Sequence, residues 1–503
     1  MLKDIRILSL KSTSMLNFTR FFFSFFFCLI FMYSGRLFAQ DANYWHSGFG
    51  PGGLLTPGAT IVNDRDSGLY YYNPALMALH PKNSVSISSN LYQLGLYNIK
   101  DGVGAGKNLK SSGVQIIPLM VSGNLFFKGK KTIALGYSLV HDPVSNYQVT
   151  QRQDKKMNVL DDSYSPGSEE FIGQYAAHNK VSNTVASGSL AVKLDEHWSI
   201  GLTAEAQLRS QDYLEQYSAR ALINSNDTQN LLPMTNVESS YQISYWNIGL
   251  RFKFGTSYDH GPHHLGLLIS APRVNIKGNA TITNDLIIND LHPVPGTPLI
   301  LNVLGNGRKT GLPVTYKDPF SVSLGYGLDF GDGGEIFLTG EYFSKVGLYN
   351  IVSPLNASFV RPDNESNRNM TNELLRFNEQ RKSVTNFSIG IKQALSPKFI
   401  GYASFRTDFN YDDNGVTVNS EFNGHHPNLA TWNTYHGQFG VNVKRRKGNL
   451  HAGLLLSYGA TNNFVQPLNF DTPNEDNQLQ GTVHTTTAKY FSAGVLLGYI
   501  FNL

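Results

Sequence analysis

From His197 to Arg209 the chain alternates without interruption. Trp198, Ile200, Leu202, Ala204, Ala206 and Leu208 take the even places, and Ser199, Gly201, Thr203, Glu205, Gln207 and Arg209 the odd ones. Successive side chains of an extended strand point to opposite faces, so one face of this run is greasy and the other wet. Strands in soluble proteins usually run about five or six residues. A strand that crosses a membrane inside a barrel needs roughly 9 to 11, and this run is long enough. Bare peptide groups find no partner in hydrocarbon, so strands at that depth must close on themselves.

The last strand repeats the pattern. Leu503, Phe501, Tyr499, Leu497, Val495, Ala493 and Phe491 share one face. Such a strand resembles the C-terminal signal read by the outer-membrane barrel assembly machinery, with Leu503 where a terminal Phe is usual. Further strands are expected near 84–98, 113–127, 131–150, 178–194, 196–212, 238–254, 263–283, 319–330, 335–346, 383–395, 398–410, 431–445, 449–460 and 488–503. That makes fourteen, and single-chain barrels prefer an even number. The connections alternate in length. "KGK", "DE", "GDGG", "SP" and "RKGN" are short, while 151–177, 213–237, 284–318, 347–382, 411–430 and 461–487 are long. Short turns on one side and long loops on the other are the mark of an outer-membrane barrel. The expected fold is an all-β, 14-stranded antiparallel transmembrane β-barrel over residues 84–503.

The N-terminus carries an address. Lys3, Arg6, Lys11 and Arg20 precede "FFFSFFFCLIFMY", which is too short to span a bilayer and has the order of a secretory signal. Residues 1–39 are read as that signal, with Met15 as an alternative start. Cys28, the chain's one cysteine, leaves with it, so disulfide and thiol chemistry drop out. Removing this segment leaves 36 basic and 36 acidic residues, a balance that argues against nucleic-acid binding.

Residues 40–83 precede the first strand and have no strand partner. Gly and Pro in "GFGPGGLLTPGA" favour tight turns, and "SGLYYYNPALMAL" supplies apolar side chains to bury. A barrel of this size is otherwise open to water, so a small hatch inside the lumen is the economical place for them.

"GFGPGGLLTPGATIVNDRDSGLYYYNPALMAL", with Asn73, Pro74 and Ala75 just before the first strand, resembles the N-terminal hatch of FadL-like long-chain fatty acid and hydrophobic-compound transporters. "LLISAPRVNIKGNAT", Leu267 to Thr281, is similar to that family's mid-barrel strand. The resemblance implies a monomeric barrel of the bacterial outer membrane that takes up hydrophobic small molecules passively. It also implies release sideways into the outer-membrane lipid through a gap at a kinked third strand. Asp142 and Pro143 are the candidate kink on that strand, ahead of Pro118. The plainer reading is that Pro143 ends a strand at the rim, since proline removes a ladder donor.

Six lumen-facing charges are candidates for holding the hatch to the wall: Glu205, Arg209, Glu341, Lys392, Arg406 and Asp408. Ordinary lumen polarity accounts for them equally well. "GFGPGG" fits a dinucleotide motif only in letters, because no strand precedes it and Pro51 sits inside it. His263–His264 and His425–His426 lack the spacing of a metal site, since adjacent strand residues face opposite ways. Asp64 and Asp66 beside Arg65 read as an ion pair. No metal and no cofactor is expected, and no catalytic residue is assigned.

Two other functions compete. Barrels resembling the same family serve as secretion-system adaptors that bind exported proteins, and the hatch motif suits both. An outer-membrane phospholipase would need a Ser/His/Asn arrangement that is not legible here, so an enzyme ranks last.

Overall fold

The computed structural model describes residues 43–51, 55, 61–62, 71–79, 83–115, 119–128, 132–224, 233–331, 333–355, 357–361, 375–412, 425 and 432–503. The expected signal, Asp64, Arg65, Asp66, Pro118 and His426 lie outside them. The strands, in chain order, are β1 (Ser84–Ile99), β2 (Leu109–Gln115), β3 (Leu119–Lys128), β4 (Thr132–Met157), β5 (Glu169–Lys193), β6 (Trp198–Leu222) and β7 (Met234–His260). Next come β8 (His263–Ser270), β9 (Val274–Leu291), β10 (Leu301–Leu312), β11 (Ser321–Phe330), β12 (Gly334–Phe343), β13 (Val346–Val352) and β14 (Val360–Arg361). The last are β15 (Phe377–Arg381), β16 (Val384–Ala394), β17 (Phe399–Asp408), β18 (Thr434–Arg445), β19 (Gly448–Val465) and β20 (Thr485–Asn502).

These close into a barrel of fourteen antiparallel staves. Three staves are made of two pieces: β2 with β3, β8 with β9, and β11 with β10. Closure runs from Ser84 opposite Asn502 to Ile99 opposite Ala488, so the first and last strands satisfy each other. This pairing covers the edges that the first and last strands would otherwise expose. The short connections at 194–197, 261–262, 331–333, 395–398 and 446–447 gather at one end.

Four staves are far longer than a membrane requires: β4 has 26 residues, β5 25, β6 25 and β7 27. The stretches expected as long loops at 151–177 and 213–237 are largely strand, paired out to Met157–Glu169 and Leu222–Met234. Likewise 284–318 is not a loop, because β9 and β10 pair through it. The run expected as one strand over 263–283 breaks at Ala271–Arg273.

The reason is an inversion of polarity partway up the wall. On the short-turn side, β4 points Leu135, Tyr137 and Leu139 outward and Ser138 inward. Beyond Asp142 it points Asn146, Gln148 and Thr150 outward and Tyr147 and Val149 inward. In β7, Phe252 and Phe254 face out and Lys253 in, whereas farther along Gln242 and Ser244 face out and Ile243 and Tyr245 in. The change falls at one level across neighbouring strands, where Asp142 stands opposite Asn183, Asn183 opposite Arg209, and Arg209 opposite Asn247. Below that level the barrel meets lipid with its outer face. Above it the outer face is polar and the inner face is the core. A search for apolar-outward alternation therefore ends at the membrane boundary although the strand does not.

Candidate functional site

The described part of 40–83 touches the inner wall at many points, and the wall's own sequence explains where. Arg406, on β17, donates from Nε to the Trp45 carbonyl at 2.9 Å and from Nη2 to that of His46 at 3.2 Å. Two residues on along the same face, Asp408 Oδ1 accepts the backbone N–H groups of Tyr44 (3.1 Å) and Trp45 (2.9 Å). Glu341 accepts the Trp45 indole N–H at 2.8 Å. Across the lumen, Asp142 pairs with His46 at 2.6 Å and accepts the Ser47 hydroxyl at 3.0 Å. Glu205 acts at one remove: it binds Lys253 at 2.5 Å, and Lys253 donates to the Tyr71 carbonyl at 3.2 Å and lies over that ring.

Arg209 and Lys392 have wall partners instead. Lys392 pairs with Glu335 at 2.6 Å. Arg209 donates to the Tyr245 hydroxyl at 3.2 Å and lies 4.2 Å from the centre of the Tyr316 ring. Sequence reasoning missed Lys253, Ser199 and Ser404 as contacts of this segment. Alternation on the expected strand 238–254 does place Lys253 inward, and that signal was available.

Asn73, Pro74 and Ala75 sit at the short-turn end, against β6 and β7. The Asn73 amide donates to the carbonyls of Ile61 (2.8 Å) and Thr256 (3.2 Å), while its Oδ1 accepts the Ala75 N–H at 3.1 Å. That last bond is a local turn, the arrangement Asn before a proline favours. The chain then makes one helical turn, Leu76–Leu79. Ser199 donates to the Ala75 carbonyl at 2.8 Å. The wall makes room with glycine: a Cβ on Gly201 would fall 2.7 Å from the Pro74–Ala75 backbone. Elsewhere on the wall, Ser404 of β17 donates to the Leu55 carbonyl at 2.8 Å.

Pro143 does not end its strand, as the plainer reading had it; β4 runs on to Met157. The register with β5 shifts between Pro143 and Ser145, which is a bulge of the kind proline tolerates. On the other side, among the described residues, the ladder from β3 to β4 runs as far as Leu119 opposite His141. β2, the continuation of that stave, pairs with β1 from Gln93–Gln115 to Ile99–Leu109. Asp142–Pro143 thus follows directly on the last β3–β4 pair.

Above the level of inversion, the inner face builds two apolar clusters. One joins Tyr147, Phe171, Tyr175, Val237 and Ile288 to Trp432, Phe464 and Phe470. The other joins Tyr213, Tyr241, Ile243 and Tyr245 to Ile351, Val352 and Phe377. Phe377 belongs to the small β13–β15 sheet and is fully buried, its ring centre 5.4 Å from that of Tyr213 and 6.3 Å from those of Tyr241 and Tyr245. His425 stacks on Tyr241 at 3.4 Å, and burial pushes its pKa down to about 4. His263 bonds the Tyr326 hydroxyl, and His264 faces Asp259 and Asp329. Glu215 accepts hydroxyl hydrogen bonds from Tyr213 at 2.9 Å and Tyr175 at 3.2 Å, at the seam between the clusters.

Solved structures that share this fold include outer-membrane transporters. A FadL homologue of Pseudomonas aeruginosa aligns with a TM-score of 0.55 at 12% identity, covering 93% of this chain and 100% of that one. The Pseudomonas putida toluene transporter TodX aligns at 0.53 and 12%, covering 92% and 100%. The Ralstonia pickettii toluene transporter TbuX aligns at 0.53 and 11%, covering 91% and 99%. No protein-family profile matches the sequence, and no curated protein is similar to it. At this identity the shared property is the fold: a fourteen-stave barrel of the outer-membrane type.

Proposed function

We propose that the chain is a passive channel of the bacterial outer membrane for hydrophobic compounds, long-chain fatty acids or hydrocarbons. The observation that carries the reading is the inversion of the wall. An interior that is apolar outside the membrane and polar within it suits cargo that must avoid water on arrival and cannot continue straight down. Residues 40–83 act as the hatch, tied to the wall by Arg406, Asp408, Glu341 and Asp142, and at one remove by Glu205. A solute leaving the apolar upper half then has one low-cost destination, the bilayer beside it.

The exit in this reading is the break between β4 and the stave of β2 and β3, at Asp142–Pro143. Support comes from the described residues of β2, which pair with β1 and form no ladder with β4, and from the bulge beside Pro143. Strand edges that lack a ladder separate without breaking hydrogen bonds. The upper binding region is the tyrosine cage of Tyr213, Tyr241 and Tyr245, where the ring of Phe377 occupies the place an aromatic or aliphatic guest would take.

The experiment is uptake of radiolabelled oleate and of toluene in a deletion strain, with and without the gene restored. Rescued uptake of either supports the channel and narrows its cargo. Unchanged uptake with the barrel abundant in the outer membrane would sink the channel and favour the adaptor for exported proteins.

A further inference from the structure

The outer face of the barrel carries a second kind of site, independent of the lumen. On β17, Gly401 and Ala403 are small residues on the outward face, and Ala452 is another on β19, with Val441 of β18 standing between Gly401 and Ala452. Larger neighbours, Leu395, Phe439, Leu454 and Val495, stand around them. The result is an apolar groove of about 630 Å³ on a surface that faces hydrocarbon.

The groove runs into a positive rim. Val441 and Val443 share its face, and Arg445 is the next residue on that face, at the turn. Lys398 lies in the turn beside it, and the two turns are joined by the Lys444 N–H donating to the Lys398 carbonyl at 2.8 Å. Lys398, Lys444, Arg445 and Arg446 are all exposed. No Asp or Glu occurs in 394–403 or 440–453. A larger outer groove of about 790 Å³, lined by Leu265, Leu324 and Phe387, makes the contrast. Asp195 in the turn and Asp259 and Asp329 at the strand ends stand at its short-turn end, and carboxylates there repel a phosphate.

We propose that the Gly401–Ala403 groove holds one anionic phospholipid of the inner leaflet, an acyl chain along the small residues and the phosphate against Lys398 and Arg445. Short turns of such barrels face the periplasm, so this rim lies at the headgroups of the leaflet that carries phospholipid. Basic side chains beside an acyl-lined groove discriminate by charge as well as by apolar contact.

The test uses the whole barrel in non-ionic detergent, with dioleoyl-phosphatidylglycerol or dioleoyl-phosphatidylcholine added and bound lipids counted by native mass spectrometry. One phosphatidylglycerol is expected to be retained, at least about tenfold better than phosphatidylcholine. The double variant Lys398→Ser with Arg445→Ser removes the preference, and Gly401→Leu weakens retention of both lipids. Gly340→Leu, in the other groove, leaves retention unchanged. Equal retention of the two lipids overturns the proposal, as does full preference in the double variant. Competition by glycerol phosphate as strong as by the lipid overturns it too, since that would be an anion site without an acyl chain. Heat-dependent gel migration verifies that each variant is folded, and if Gly401→Leu is not, the double variant decides.

Discussion

The carboxylate of Asp142 lies 2.6 Å from the imidazole of His46, at the residue that follows the last β3–β4 pair. One side chain thus joins the N-terminal segment to the wall beside the last β3–β4 pair among the described residues. In the proposed channel, hatch position and exit would be linked through this pair.

Arg406 and Asp142 hold opposite sides of the 43–47 stretch, and their loss is expected to loosen it. Arg406→Ala removes two bonds to backbone carbonyls and leaves Asp408 buried without its neighbouring cation, a cost of about 3 kcal/mol. Asp142→Asn keeps the shape and removes the charge, at about 1–2 kcal/mol. Both variants should raise influx of a small polar dye several-fold in whole cells, Arg406→Ala more. Unchanged influx with normal barrel levels would speak against a hatch held by these groups.

The break beside Pro143 offers a sharper test. A Cβ on Gly113 would come within 4.0 Å of the Asn146 side chain, across the gap from β2 to β4. With Cys28 as the chain's one cysteine, Gly113→Cys with Asn146→Cys can be bridged by a short bis-maleimide. Bridging should abolish hydrophobic uptake in the double variant and not in either single one. Retained uptake after complete bridging would place the exit elsewhere.

Phe377→Ala empties a ring-sized space among Tyr213, Tyr241 and Tyr245 and weakens the hold of the β13–β15 sheet by about 3 kcal/mol. Faster toluene uptake is expected, together with tighter binding of a fluorescent aromatic probe. Phe377→Leu, which refills most of the space, should behave nearly as the unaltered chain.

His425 adds a pH dependence. Its pKa is about 4 when stacked on Tyr241 and near 6.5 when free. The free form takes up more protons between those values, so the stacked arrangement is fully stable above about pH 6.5 and loses stability as pH falls toward 4. At pH 5 the loss is about 2 kcal/mol. Amide protection factors in 375–381, which divide out the intrinsic pH dependence of exchange, should fall about 30-fold between pH 7 and 5, and His425→Phe should remove most of the change.

Much of the barrel was legible because membrane and lumen impose opposite chemistry on alternate residues. His197–Arg209 and Phe491–Leu503 carry that imprint directly, and the count of fourteen follows from it. The upper halves of β4 to β7 were not legible as strand by the same rule, since Gln242 and Ser244 face water there and Ile243 and Tyr245 face the core. Arg406 and Asp408 were readable as lumen charges, but so were Arg209 and Lys392. Parity tells which way a side chain points and not what waits opposite.

By itself, then, the sequence determined the closed barrel, its membrane-facing band and the turn at Asn73–Ala75, because period-two polarity and local Asn–Pro geometry act within a few residues. Tertiary structure alone decided that Asp142 meets His46, that Lys253 reaches Tyr71 and that Phe377 fills the tyrosine cage. Those contacts join residues far apart in the chain, and the register that brings them together is set by closure of the whole ring of hydrogen bonds rather than by any one strand.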